Sequence, residues 1–462
     1  MQFLSILLII SFIYCDYTSI KTKRNLLKRN LNTSSFFQNE SFYLSEINET
    51  NNISKNLIES EKENNPTFTM IKLYNYKDVQ YSGNIYVGTP YNKFTVIYDT
   101  GSNLFWLPSV NCTFKCRNST NKYNPKLSST SEDMHIKKNI SYAKGYIKGR
   151  LYKEKIYLNK KSKFSSLYSK ELSLDNYKLI AVYKEKYLLF HTIFDGIVGL
   201  GINDEGDINN SLIKSLYNQG KISAPSFSFY LLSNKDQKFE NNISRLYIGN
   251  ILENDYINNL FKNKTKFCYL PGKNYYWICE TIKLEIKEEK LNITEAINTY
   301  SGVIFDTGTS YTIVPKKDVQ FIMDYFNKTL GKKCFVTPLH QIKCQCNSTK
   351  EFGNIKIYFD KKNYYQINLE DLIEYNKNYR YQCSFQMLVD RIDFGIWVIG
   401  DSALRSSLIT FNMLERKISF VQNINKIIDD NKLAKSIFNN NNKSWISNNL
   451  SWILNVLVFF PV

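Results

Sequence analysis

Between Leu73 and Gln422 the apolar residues come in short runs or alternate with polar ones, and Gly, Pro or Asn closes each run. Ser82-Gly-Asn-Ile-Tyr-Val-Gly-Thr-Pro90 and Ser244-Arg-Leu-Tyr-Ile-Gly-Asn250 are two examples. Successive side chains of a strand point to opposite faces, so this pattern predicts a mostly β body. Helical spacing is rare. It recurs from Lys316 to Leu330, where Val319, Ile322, Met323, Phe326 and Leu330 share one face, and over Ser211 to Asn218, which stops before Gly220.

The flanks read differently. Residues 1–19 hold one apolar run of about 13, the length of a secretory signal core and too short for a ~30 Å bilayer. Residues 20–72 are polar, without apolar periodicity, and carry the basic pairs Lys23-Arg24 and Lys28-Arg29, as a prosegment or disordered arm would. Residues 423–462 are polar again and end in about 11 apolar residues, too few to span a membrane. That tail reads as a packed or frayed extension, with a lipid-anchor signal as the alternative.

Composition narrows the class. The 462 residues are 43% hydrophobic and 22% charged, which excludes a wholly disordered chain, a collagen and a polytopic membrane protein. The net charge of +18 points in principle to an acidic partner. The chain is equally rich in Asn, Ile and Tyr, residues with AT-rich codons, so genome composition explains the excess better than a phosphate-binding stripe. With no RNP, zinc-finger or helix-turn-helix pattern, no nucleic-acid partner is expected.

Cys15 lies in the expected signal, and the other eight cysteines suit disulfides formed in the secretory pathway. Close spacing favours Cys112 with Cys116, Cys268 with Cys279 and Cys334 with Cys344, leaving Cys346 with Cys383. Cys344-Gln-Cys346 has the wrong spacing for a zinc knuckle, and neither a metal nor a cofactor is expected.

One signal occurs twice. Phe94-Thr-Val-Ile-Tyr-Asp99-Thr100-Gly101-Ser102 runs on through Trp106 to Pro108, and Ser301-Gly-Val-Ile-Phe-Asp306-Thr307-Gly308-Thr309 runs on to Pro315. Ile197-Val198-Gly199 and Val398-Ile399-Gly400 repeat at almost the same offset, so the body is an internal duplication. Each Asp-Thr-Gly puts a carboxylate at the end of an apolar strand, in a turn expected to need glycine, beside hydroxyls that can orient it. Two such carboxylates brought together cannot both ionise, so they share a proton and can activate a water.

These paired motifs, in apolar strand context and each with its downstream glycine, resemble the pepsin family of aspartic proteases over Leu73 to Gln422, and are similar to the plasmepsins of malaria parasites. The resemblance implies two pseudo-twofold β lobes, residues 73–240 and 241–422, with a cleft between them. It makes Asp99 and Asp306 the catalytic pair, Thr100 and Thr307 the crossed threonines, and Ser102 and Thr309 the outer donors. Gly101 and Gly308 complete the loops, and Gly199 and Gly400 support them from behind.

Tyr142 takes the place of the flap tyrosine, with Gly145 after it and Trp106 as its partner; an ordinary strand tyrosine is the alternative. Ala143-Lys144 stands where the family usually has Gly-Thr. By the same pattern Ile97, Tyr142, Leu188, Phe194 and Ile197 line the pocket before the scissile bond. Tyr276, Ile304 and Val398 line the one after it, unless these residues are merely core. The expectation is therefore a monomeric aspartic endopeptidase, secreted or held in a secretory vesicle or vacuole. It is made as a zymogen and acts on protein or peptide substrates.

A catalytically dead, pepsin-like binding protein is the alternative, and the intact motifs speak against it. A serine or metallo hydrolase fails on inventory. His135, His191 and His340 are the only histidines, with no HExxH and no GxSxG after a strand.

Overall fold

The computed structural model describes residues 68–112, 121–142, 145–159, 172–186, 194–202, 211–234, 236, 243–251, 255–391 and 395–424. The expected signal, most of the prosegment and almost all of the C-terminal extension lie outside these residues, as do Cys116, Lys144, Leu188 and His191.

The chain adopts the expected mostly β, bilobal architecture, and the described residues form three sheets. The largest has 13 strands. It runs from Lys266–Tyr269 at one edge, through Lys417–Gln422, Ser407–Asn412, Ser226–Tyr230 and Ser244–Gly249, to Phe68–Tyr76 at its middle. It continues through Gln80–Val87 and Asn92–Asp99 to the long hairpin Glu132–Tyr142 and Gly145–Tyr157 at the far edge. An eight-stranded sheet holds Gly302–Phe305 and Ile396–Ile399, and a four-stranded sheet is made of Lys283–Glu288, Ile293–Asn298, Asn354–Tyr358 and Tyr364–Asn368.

The duplication is visible in the pairing. Asn92–Asp99 lies parallel to Gly196–Gly199, with Asp99 opposite Gly199; that second strand runs antiparallel to Phe105–Pro108, which is in turn parallel to Ser173–Lys186. In the other half Gly302–Phe305 lies parallel to Ile396–Ile399, which is antiparallel to Thr312–Val314, itself parallel to Cys383–Val389. Both Asp-bearing strands are therefore central, buried on both faces, and so read as unbroken apolar runs rather than alternating ones.

The described helices are short: α1 (Leu212–Asn218), α2 (Asp255–Phe261), α3 (Lys316–Asp324) and α4 (Asp401–Leu404). The Ser211 hydroxyl caps α1 by accepting from the Lys214 N–H at 3.4 Å, and Gly220 follows with φ +64°. The expected helix to Leu330 changes character after Asp324, where Tyr325–Thr329 widens into a π turn and the Leu330 N–H reaches the Tyr325 carbonyl at 2.9 Å. Its apolar face still packs inward, with Ile322 and Phe326 fully buried. α2 and α4 lack a clear apolar period and are not legible in the sequence.

Three expected disulfides are formed: Cys268–Cys279, Cys334–Cys344 and Cys346–Cys383. Cys112 is also disulfide-bonded. The first ties the edge of the large sheet to the eight-stranded sheet, and each bridge typically contributes about 2–4 kcal/mol by restricting the unfolded chain. Between the halves, Phe227 stacks on Phe411 with centroids 4.9 Å apart and meets Trp277 edge-on at 5.8 Å. Burying each of these rings is worth about 1.5–3 kcal/mol, so the lobes share a core and not only a hinge.

Candidate active site

The two Asp-Thr-Gly loops meet where the two halves join. Their threonines cross: the Thr100 N–H donates to Thr307 Oγ1 at 3.1 Å, and the Thr307 N–H donates to Thr100 Oγ1 at 3.0 Å. Each hydroxyl then donates onward into the opposite half, Thr100 to the Phe305 carbonyl at 2.8 Å and Thr307 to the Tyr98 carbonyl at 2.6 Å. Both side chains are buried, so every donor and acceptor here must be paired within the protein, and removing one strands its partner.

Asp99 and Asp306 stand in front of this crossing, 0% and 2% exposed. The Gly101 N–H and the Ser102 hydroxyl donate to Asp99 at 2.8 and 2.5 Å; the Gly308 N–H and the Thr309 hydroxyl donate to Asp306 at 2.8 and 2.8 Å. The two carboxyls have the same two-donor setting, related by the repeat.

Burial pushes the Asp99 carboxyl well above the usual carboxylate range, and the charge of Asp306 pushes it further, against the Ser102 and Gly101 donors. Burial also raises Asp306, opposed first by Thr309 and Gly308. Each carboxyl acts on the protonation of the other, so the two titrate as a pair that shares a proton.

The glycines have a different role from the one read in the sequence. Neither Gly101 nor Gly308 has the positive φ that a glycine-requiring turn would impose. Space is the reason instead. A Cβ on Gly101 would lie 2.6 Å from the Asp306 carboxyl, and one on Gly308 would lie 2.2 Å from Asp99 Oδ1. Gly199 and Gly400 are equally constrained, since a Cβ would meet the Leu104 N at 2.4 Å and the Thr309 carbonyl at 2.5 Å, respectively.

The expected pocket residues separate into two groups. Ile97, Phe194 and Ile197 come together in one buried cluster with Trp106 and Ile140, under the Glu132–Tyr142 hairpin. Ile304 and Val398 are register neighbours in the parallel pair, and Tyr276 is half-buried just before Ile278, which pairs with Ile304. Tyr142 pairs with Gly145 at the hairpin tip. His135 and His340 are remote in sequence from both loops, and each sits at positive φ, 58° and 64°.

Sequence reasoning missed Asp401, the residue after Gly400. It is 2% exposed, and its Oδ1 has no hydrogen-bond partner among the described residues. Burial and the charge of Asp306 push it well above the carboxylate range, against Arg405. The repeat carried the signal, because Gly199 is followed by Leu200 and a carboxylate therefore stands where the first half has an apolar residue.

Among the described residues no group of three or more His, Cys, Asp or Glu side chains can hold a metal ion, and no helix is long and apolar enough to cross a membrane.

Comparison with known proteins agrees with this geometry. Residues 80–423 match the model of the eukaryotic aspartyl protease family. The chain is 27% identical to pepsin A-5 of Mus musculus, over 78% of this chain and 85% of that protein. It is 28% identical to vacuolar protease A of Aspergillus fumigatus, over 63% of this chain and 67% of that protein, and 25% identical to pregnancy-associated glycoprotein 2 of Bos taurus, over 79% and 89%. With a match over most of the sequence and both Asp-Thr-Gly loops in place, the chain belongs to the pepsin family of eukaryotic aspartyl proteases and is an aspartic endopeptidase.

Proposed function

We propose that Asp99 and Asp306 act as one unit. The ionised carboxylate takes a proton from a water while the protonated carboxyl gives its proton to the carbonyl oxygen of the scissile amide. The water oxygen bonds to the carbonyl carbon, and a neutral gem-diol forms without a covalent enzyme intermediate. The carboxyl that took the water's proton then protonates the amide nitrogen while the other carboxylate takes a proton from one gem-diol hydroxyl, and the C–N bond breaks to give the acid and the amine. The observation that carries this reading is the pair of buried carboxyls, each oriented by its own N–H and hydroxyl.

The substrate is a peptide cleaved between two hydrophobic residues. Ile97, Tyr142, Leu188, Phe194 and Ile197 are assigned to the pocket before the bond, and Tyr276, Ile304 and Val398 to the pocket after it. Burying Phe or Leu there gains about 1.5–3 kcal/mol, whereas an unpaired charge is penalised. The chain is made as a secreted zymogen with residues 20–72 as its prosegment; the disulfides fit an oxidising compartment.

One experiment tests the centre of this reading. Asp99→Asn and Asp306→Asn should each lower peptide hydrolysis by a factor on the order of 10⁴ while thermal unfolding stays cooperative. The wild type should cut a peptide library after Phe or Leu. Robust turnover in either variant would overturn the catalytic assignment, and a profile led by Lys, Arg or Asp before the cut would overturn the pockets alone.

A further inference from the structure

A cavity of about 180 Å³ lies away from the carboxyl pair, where strand Tyr364–Asn368 and α4 meet the edge of the large sheet. Its lining is polar, with three cationic side chains, Lys264, Lys266 and Arg405, and one acid, Asp371.

The cations are held in different ways. Arg405 is 6% exposed in its side chain and fixed on three sides. It donates to the Asp78 carbonyl at 3.1 Å, the Asp371 carbonyl at 2.7 Å and Gln386 Oε1 at 2.9 Å, and the Asp78 carboxylate is 3.9 Å away. Neutral carbonyls therefore take its best hydrogen bonds. Lys264 and Lys266 make no ion pair among the described residues. Lys266 Nζ lies over the Tyr364 ring at 5.4 Å; Lys356 Nζ lies 5.0 Å from the same ring but is paired with Glu285 at 3.7 Å. Asp360 is close enough to feel the Lys266 charge, although the Asn363 side chain and the Lys362 and Asn363 N–H groups hold it first.

Asp371 is exposed and sets one carboxylate against the three lining cations, and Asn368 donates to it at 3.3 Å. Ser406 and Ser407 also line the cavity, where their hydroxyls are available as donors alongside the ammonium groups.

We propose that this cavity binds a tetrahedral oxyanion, phosphate or sulfate, either free or as the end group of an ester. The volume accommodates such a group with several waters, and two lysines with two serine hydroxyls offer the convergent donors that a tetrahedral anion accepts. The site is independent of the peptidase mechanism. Its far wall is nevertheless α4, which begins at Asp401 and ends against Arg405.

The test uses the full chain. Thermal unfolding and titration calorimetry are run with potassium phosphate, potassium sulfate and potassium chloride at matched ionic strength, on the wild type and on the double variant Lys264→Gln/Lys266→Gln. The proposal expects a saturable rise in Tm with phosphate and sulfate but not chloride. In the double variant the affinity falls about tenfold or more, while Tm without anion and peptide turnover are unchanged. A second arm compares glucose 6-phosphate with inorganic phosphate; tighter binding of the sugar phosphate assigns the site to an ester, and tighter binding of the inorganic ion assigns it to the free anion. Absence of a saturable shift, or an equal shift in the double variant, overturns the proposal.

Discussion

The two halves build the same carboxyl setting and then surround it differently. Behind Asp99, Gly199 is followed by Leu200, a buried apolar side chain whose carbonyl accepts the Trp277 indole N–H at 2.8 Å from the other half. Behind Asp306, Gly400 is followed by Asp401, a third buried carboxyl. Ser102 serves one aspartate and Thr309 the other. The symmetric part fixes where the carboxyls stand. The asymmetric part supplies an unequal field around the two carboxyls.

The strongest way to break the symmetric part is to fill the space each glycine leaves. Gly308→Ala places a methyl 2.2 Å from Asp99 Oδ1, and Gly101→Ala places one 2.6 Å from the Asp306 carboxyl. Both should lower kcat by roughly 10² or more, since a displacement of about 1 Å in a positioned group has that effect, with Gly308→Ala the worse. Steady-state kinetics beside circular dichroism would check this; equal, wild-type activity in both would show that the loops tolerate a wider separation.

Next comes the crossing. Thr100→Val and Thr307→Val each remove a hydroxyl that donates across the halves and leave a buried N–H and a carbonyl without their partner. Each should lose about 2–4 kcal/mol of stability. Because the two residues serve each other, the double variant should lose clearly less than the sum. Denaturant titration of the four proteins measures it, and strict additivity would show that the two hydroxyls act separately.

The smallest effect tests the asymmetry. Asp99, Asp306 and Asp401 all have carboxyls raised in the folded state, so each binds its proton more tightly there than in the unfolded chain. The stability they contribute is complete below the unfolded carboxyl pKa of about 4 and is lost as pH rises through the folded values. The wild type should thus lose stability from about pH 4 towards neutrality. Asp401→Leu, which copies Leu200, should flatten that fall and stabilise the protein near pH 7. A Tm profile as steep as that of the wild type would show that Asp401 carries none of the dependence.

Much of this is legible in the amino-acid sequence. The paired Asp-Thr-Gly motifs lie in apolar runs because both strands are buried on two faces, and burial leaves that mark on any sequence. The three pairings Cys268–Cys279, Cys334–Cys344 and Cys346–Cys383 followed from spacing, since two pairs are only 11 and 10 residues apart and leave the third little choice. A further copy of the repeat went unread. Lys155-Ile156-Tyr157 and Lys356-Ile357-Tyr358 occupy corresponding places in the two halves, with Ile156 and Ile357 both fully buried.

Local chemistry and periodicity, then, determined the β character, the duplication and the identity of the two carboxylates, because each depends on residues close together in the chain. Tertiary packing alone decided the rest. The need for Gly101 comes from Asp306, more than 200 residues away, and not from its own backbone. The excess of lysine, which composition explains as a whole, gains local meaning only where folding sets Lys264 and Lys266 beside Arg405. Asp401 looks like an ordinary polar residue at a helix start until the core closes over it and removes the water that would have solvated its charge.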